Sequence, residues 1–253
     1  MRFLAALQFL TIVPIPWRRE VRPKDLARST SYFPLVGLII GLVLAFLNWL
    51  LGFLLPSAVV NVLLIVFLVV ISGALHLDGL ADTCDGLAGH KTAQARLEVM
   101  RDSHVGAFGV IGVCCLLLVK YISLNNVPEN LMMATLVLMP VLSRWAMVYA
   151  IFAYPYARPS GLGQVFKQGT TWLRLLWATL IALAVAAGVA RWAGLAIMAC
   201  VWIIAIITAT CLKGKFSGLT GDSYGAINEV AEVSVLILAL IMARLGLAWP
   251  ALI

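Results

Sequence analysis

Charge is what this chain has least of. Of its 253 residues only 11% are Asp, Glu, Lys or Arg, while 63% are hydrophobic, and the mean hydropathy is +1.03. That balance excludes an ordinary soluble domain, in which about a quarter of the residues are charged. Cysteine is sparse and unpatterned: Cys84, Cys114, Cys115, Cys200 and Cys211 form no CxxC or Cys/His spacing. A disulfide framework and a zinc site are therefore not expected. Internal repeats, low-complexity tracts, linkers and a separate soluble domain are also missing. Residues 1–8 contain one basic residue, and no small-residue cleavage site follows the first apolar stretch, which argues against a cleaved signal peptide. The basic excess, 18 Lys and Arg against 11 Asp and Glu, does not indicate nucleic acid, because the basic residues are scattered between apolar segments without interleaved aromatics.

Long apolar runs fill the rest. A spanning helix needs about 20 apolar residues, so the expectation is an all-α polytopic membrane protein with about seven transmembrane helices, six to eight, forming one membrane-embedded domain over 1–253. Spans are expected near 33–55, 58–77, 106–124, 131–153, 172–190 and 193–212, with an outer turn at Arg191 and a last helix after the loop ending at Gly225. Residues 3–16, broken by Pro14 and Pro16, are too short to span and read as an interfacial or re-entrant segment. Gly37 and Gly41 suit close helix packing. Lys120, near a span end, is expected to snorkel outward. The cluster Arg18, Arg19, Arg22, Lys24 and Arg28 places the N-terminal end in the cytoplasm by the positive-inside rule.

One stretch stands out, Asp78-Gly79-Leu80-Ala81-Asp82-Thr83-Cys84-Asp85-Gly86. On a helix Asp78, Asp82 and Asp85 sit at i, i+4 and i+7, so all three carboxylates share a face. Like charges at that spacing repel, and at the end of an apolar segment they are costly unless a cation neutralises them. A bound divalent metal accounts for them, and carboxylate ligands favour Mg2+ or Mn2+ over zinc.

Three polar stretches, about 78–105, 154–171 and 213–232, fall on one side of the membrane in this topology. Together they would join the aspartates to Asp222, Asn228, Glu229 and Glu232, ringed by Arg101, Arg144, Arg158, Lys213 and Lys215. Metal ions bridging anionic oxygens, cations and glycine-rich loops suit phosphate chemistry. Candidate metal ligands are Asp78, Asp82, Asp85, Asp102, Glu229 and Glu232. Asp82, Asp102 and Asp222 are the candidate catalytic residues, and Arg101, Arg144, Arg158, Lys213, Lys215 and Asn228 the candidate substrate-binding ones. Plainer roles stand beside these: Glu229 and Glu232 as structural partners of Arg144, Arg144 as a helix tie, Asp102 as a helix cap, Lys213 and Lys215 as topology anchors. His76, His90 and His104, isolated and unevenly spaced, read as structural.

These stretches resemble the cobalamin synthase family, the adenosylcobinamide-GDP ribazoletransferases, over nearly the whole chain. The likeness lies in Phe9-Leu10-Thr11-Ile12-Val13-Pro14-Ile15-Pro16, Tyr32-Phe33-Pro34-Leu35-Val36-Gly37, the run from His76 to Leu87, Met100-Arg101-Asp102-Ser103 and Thr220-Gly221-Asp222-Ser223-Tyr224-Gly225-Ala226. Cys84, Arg101 and Ser217 depart from the pattern, where Ala, Lys and Gly are usual. The resemblance implies a Mg2+-dependent enzyme of the bacterial cytoplasmic (inner) membrane, multi-pass, with its active site facing the cytoplasm. It implies transfer of adenosylcobinamide phosphate from adenosylcobinamide-GDP to alpha-ribazole or its 5'-phosphate, forming adenosylcobalamin or its phosphate and releasing GMP; Asp102 and Asp222 are the candidates for the general base that this chemistry needs. The lipid bilayer is the expected surrounding, and a homo-oligomer or a complex with other cobalamin-pathway enzymes stays open.

Two rival readings can be weighed. CDP-alcohol phosphotransferases share the chemistry, but their Asp-Gly-x2-Ala-Arg spacing is not met, since Ala95-Arg96 lies well beyond Gly86. A cation transporter would be expected to line a midplane site rather than gather its acids at one face.

Overall fold

The computed structural model of the chain describes residues 2–14, 23–89, 92–102 and 104–247. Pro16, Arg18, Arg19, Arg22, His90 and Ser103 lie outside the described residues. Eleven α-helices follow one another: α1 Arg2–Leu10, α2 Pro23–Ala27, α3 Phe33–Gly52, α4 Ser57–Ile71, α5 Leu75–Leu87, α6 Ala93–Val99, α7 Ala107–Asn126, α8 Glu129–Ala153, α9 Leu162–Gly169, α10 Trp172–Phe216 and α11 Gly221–Arg244. A 3-10 turn over Ser29–Tyr32 leads into α3, and no strand occurs among the described residues.

Helix α8 is the centre of the bundle, packed against α3, α10 and α11. Its apolar residues point inward all round, as an enclosed helix requires. Pairing with α3 is close because a side chain at Gly37 would strike the backbone of Pro140, and one at Gly41 that of Val137. Both glycines serve the packing role expected of them. Outer faces of the bundle carry exposed Leu42, Phe46, Trp49, Val66, Ile111, Leu118 and Ile122. Apolar surface on that scale is the face a helix shows to lipid.

Among the described residues five helices are long and apolar enough to cross a membrane, or six when α4 and α5 count as one bent span. The count of about seven is not reached by that measure. One departure from the expected spans matters. Helix α4 stops at Ile71, short of the expected residue 77, and α5 leaves it at 86°. Gly73 and Ala74 make that corner, both left-handed at φ 60° and 56°. The aspartates therefore sit on a helix of their own, lying across the direction of α4. The 45-residue α10 is broken at Arg191, with φ 51° and ψ −135°, where the outer turn was expected. A side chain on Gly194 would run into the backbone of Ala186, a residue that a straight helix would put about 12 Å away, so α10 doubles back there.

Candidate active site

Helix α5 carries Asp78 and Asp82 on one face, and α11 begins at Gly221 directly against it. The two backbones touch because residue 79 is glycine: a Cβ there would lie 2.8 Å from the carbonyl oxygen of Asp222. Thr220 caps α11, its hydroxyl oxygen accepting the Ser223 N–H at 3.1 Å, and also donates to Asp222 at 3.3 Å. Asp222 thus stands at a fixed helix start beside Asp78 and Asp82, close enough for the three charges to act on one another.

The second polar stretch reaches the same place. Backbone bonds tie Ala157 N–H to Leu219 C=O and Leu219 N–H to Pro155 C=O, each at 2.8 Å, which fixes the 154–161 loop beside the start of α11. Arg158 then forms an ion pair with Asp222 at 2.9 Å, both side chains largely covered, and reaches the Met100 carbonyl at 3.4 Å. All three polar stretches meet here. Burial pushes the Tyr156 phenol in this loop above its ordinary pKa, against the opposing pull of Arg158.

A cavity of about 270 Å³ opens at this junction. Asp78, Asp222, Arg158, Tyr156 and Tyr224 line its polar side; Phe9, Phe33, Met147, Ile151 and Phe166 line the other.

Several expected site residues stand elsewhere. Both oxygens of Asp85 accept backbone N–H groups at 2.8 Å, from Gly106 and Gly109, so this carboxylate anchors the start of α7. Asp102 is exposed, and its Oδ1 accepts the His104 N–H at 3.0 Å and meets the His104 ring at 2.7 Å, an Asx-turn. Those hydrogen bonds hold its carboxyl below the usual carboxylate range. Glu229 and Glu232 are inside the bundle. Lys120 Nζ donates to them at 2.8 and 2.7 Å, Arg144 also pairs with Glu232, and Asn228 donates to Glu232 at 3.2 Å. Two cations answer two acids there, which explains how fully buried charges are tolerated. The outward snorkelling expected of Lys120 is wrong: the residue is 2% exposed. Arg144 and Asn228 are fully buried in this network, whereas Lys213, Lys215 and Arg101 are exposed and do not line the cavity.

Among the described residues no three His, Cys, Asp or Glu side chains stand close enough to hold a metal ion between them. The expected six-carboxylate set is thus not assembled; Asp78 and Asp82 share a face of α5, and Asp222 beside them is paired to Arg158. This donor set fits Mg2+, which binds through one or two carboxylates and takes its other oxygens from water and phosphate.

Sequence reasoning read His76 as structural and did not single out Tyr224. Both line the cavity, exposed by only 2% and 3%, and neither the His76 ring nitrogens nor the Tyr224 hydroxyl has a hydrogen-bond partner among the described residues. Their place within the two motifs was the available signal.

A family model described as cobalamin-5-phosphate synthase matches residues 2–240. The chain is 39% identical over 236 residues to an adenosylcobinamide-GDP ribazoletransferase of Geotalea daltonii, covering 91% of this chain and 93% of the relative. Proteins of the same name from Roseiflexus sp. and Desulforamulus reducens are each 38% identical, over 231 and 238 residues, covering 91% and 93% of this chain and 86% and 94% of theirs. No solved structure matches.

Proposed function

The chain belongs to the cobalamin-5-phosphate synthase family, and we propose that it performs the final assembly of the cobalamin nucleotide loop as an adenosylcobinamide-GDP ribazoletransferase. The observation that carries this reading is the gathering of Asp78, Asp222 and Arg158 on one cavity, with Asp82 near enough to feel their charges. A hydroxyl of alpha-ribazole, or of its 5'-phosphate, attacks the phosphorus that bears cobinamide. One P–O bond forms to the ribazole oxygen, the P–O bond to GMP breaks, and the hydroxyl proton passes to a carboxylate.

Of the two carboxylates considered for that proton, Asp222 lines the cavity and Asp102 does not, so Asp222 takes the role. Arg158 holds phosphate oxygens and keeps Asp222 oriented. Asp78 and Asp82 would hold Mg2+, which supplies charge neutralisation at the pyrophosphate. Apolar walls at Phe9, Phe33 and Phe166 keep the rest of the cavity dry. The enzyme sits in the bacterial inner membrane with this end of the bundle facing the cytoplasm, in keeping with the basic residues along that side. Cation transport is a weaker reading, because the acids deepest in the bundle, Glu229 and Glu232, are already neutralised by Lys120 and Arg144.

Asp82→Asn tests this. Turnover should fall about a hundredfold or more while the protein still inserts and folds. A variant with normal activity would remove the metal site from the account.

A further inference from the structure

We propose that the cavity between α1, α3, α5, α8, α9 and α11 is the subsite for the acceptor, holding an aryl nucleoside with its base at the phenylalanine end and its sugar against His76 and Tyr224. This rests on the transferase reading and goes beyond it by assigning one substrate to one place.

Three observations carry it. The first is the inner wall. Phe9, Phe33 and Phe166 form a ring cluster, with centroids 4.6 Å apart for Phe9 and Phe166, 5.6 Å for Phe33 and Phe166 and 6.0 Å for Phe9 and Phe33. With Met147 and Ile151 beside them, that end offers carbon surface and aromatic faces. A flat apolar base stacks well against it. Guanine, the base of the donor, presents a full edge of hydrogen-bonding groups that this wall would leave unpaired.

The second observation is size. A volume of about 270 Å³ lies just below the usual range of small-molecule pockets, about 300–1,000 Å³, with room for a nucleoside and none for a corrin ring.

The third is the unpartnered polar atoms. His76 Nδ1 and Nε2, the Tyr224 hydroxyl and Arg158 Nε are buried on residues that line the cavity, and none has a hydrogen-bond partner among the described residues. Buried polar groups are nearly always paired, so four of them around one cavity point to a ligand that brings donors and acceptors. Ribose hydroxyls do both. The lining supplies a partner for each part of the acceptor: the phenylalanines for the base, His76 and Tyr224 for the sugar, and Arg158 with its neighbour Asp222 for the phosphate end.

The test is steady-state GMP release with alpha-ribazole phosphate and adenosylcobinamide-GDP each varied in turn, on wild type, Tyr224→Phe and Phe9→Leu. Tyr224→Phe keeps the ring and removes one hydrogen bond. It should raise the acceptor KM about tenfold and leave the donor KM within about twofold. Phe9→Leu, a milder change at a half-buried position, should move the same constant in the same direction. A donor KM that rises while the acceptor KM stays fixed would give the cavity to the donor nucleotide and overturn the assignment, as would two unmoved constants. Wild-type protein that releases no GMP would instead be a failure of the transferase reading itself.

Discussion

Asp85→Asn separates an anchoring carboxylate from a metal ligand. In the native protein each Asp85 oxygen accepts one N–H from the first turn of α7, both at 2.8 Å. Asparagine keeps one acceptor oxygen and turns an NH2 group towards the other N–H. One charge-assisted hydrogen bond, about 1.5–3 kcal/mol, is lost, and with it the favourable charge at a helix N-terminus, about 0.3–1 kcal/mol. The cost is therefore about 2–4 kcal/mol. For a chain of this size that corresponds to a fall of roughly 4–16 °C in thermal midpoint, read by tryptophan fluorescence of the purified protein in detergent. The Mg2+ concentration for half-maximal activity should stay within about twofold of wild type, because the proposed Mg2+ ligands, Asp78 and Asp82, are untouched. An unchanged midpoint together with a Mg2+ requirement raised more than about tenfold would refute the reasoning and return Asp85 to the metal.

Lys120→Met should destabilise by about 3–5 kcal/mol, since it leaves buried carboxylates short of a cation. The double variant Lys120→Met, Glu229→Gln should recover most of the loss; no recovery in thermal midpoint would mean that Lys120 acts through packing alone. Ser217 has the left-handed φ of 61°, so Ser217→Gly should stabilise by about 0.5–1 kcal/mol, visible as a raised midpoint. The Asp102 carboxyl is lowered in the folded protein by its bonds to His104, so its contribution is fully present above the unfolded pKa and is lost only as pH falls through the lower folded one. Asp102→Asn should accordingly leave the acid limb of the kcat–pH profile in place, and a displaced limb would make Asp102 the base.

Reading the sequence worked where a residue's role depends on its near neighbours. The spacing of Asp78 and Asp82 put them on one helix face, and Gly37 and Gly41 are where α3 and α8 come close. It failed where a partner lies far along the chain. Lys120 looked like a residue at a span end, because Glu229 and Glu232 are 109 and 112 residues away and nothing local announces them. Asp85 shares the helical spacing of the other aspartates, but its partners are backbone N–H groups of a later helix, which have no side-chain signature. The corner at Gly73 and Ala74 was hidden too, since a single Ser72-Gly73 pair inside a long apolar run reads as part of one span. His76 and Tyr224 were visible in their motifs, but only the folded cavity gives them a common purpose.

The most direct test is GMP release by purified, detergent-solubilised protein supplied with adenosylcobinamide-GDP and alpha-ribazole phosphate, with Mg2+ and with chelator. GMP release that requires Mg2+, is matched by cobamide formation and is abolished by Asp82→Asn is the expected result. Well-folded protein that releases no GMP, or releases it equally with chelator present, would contradict the carboxylate site described here.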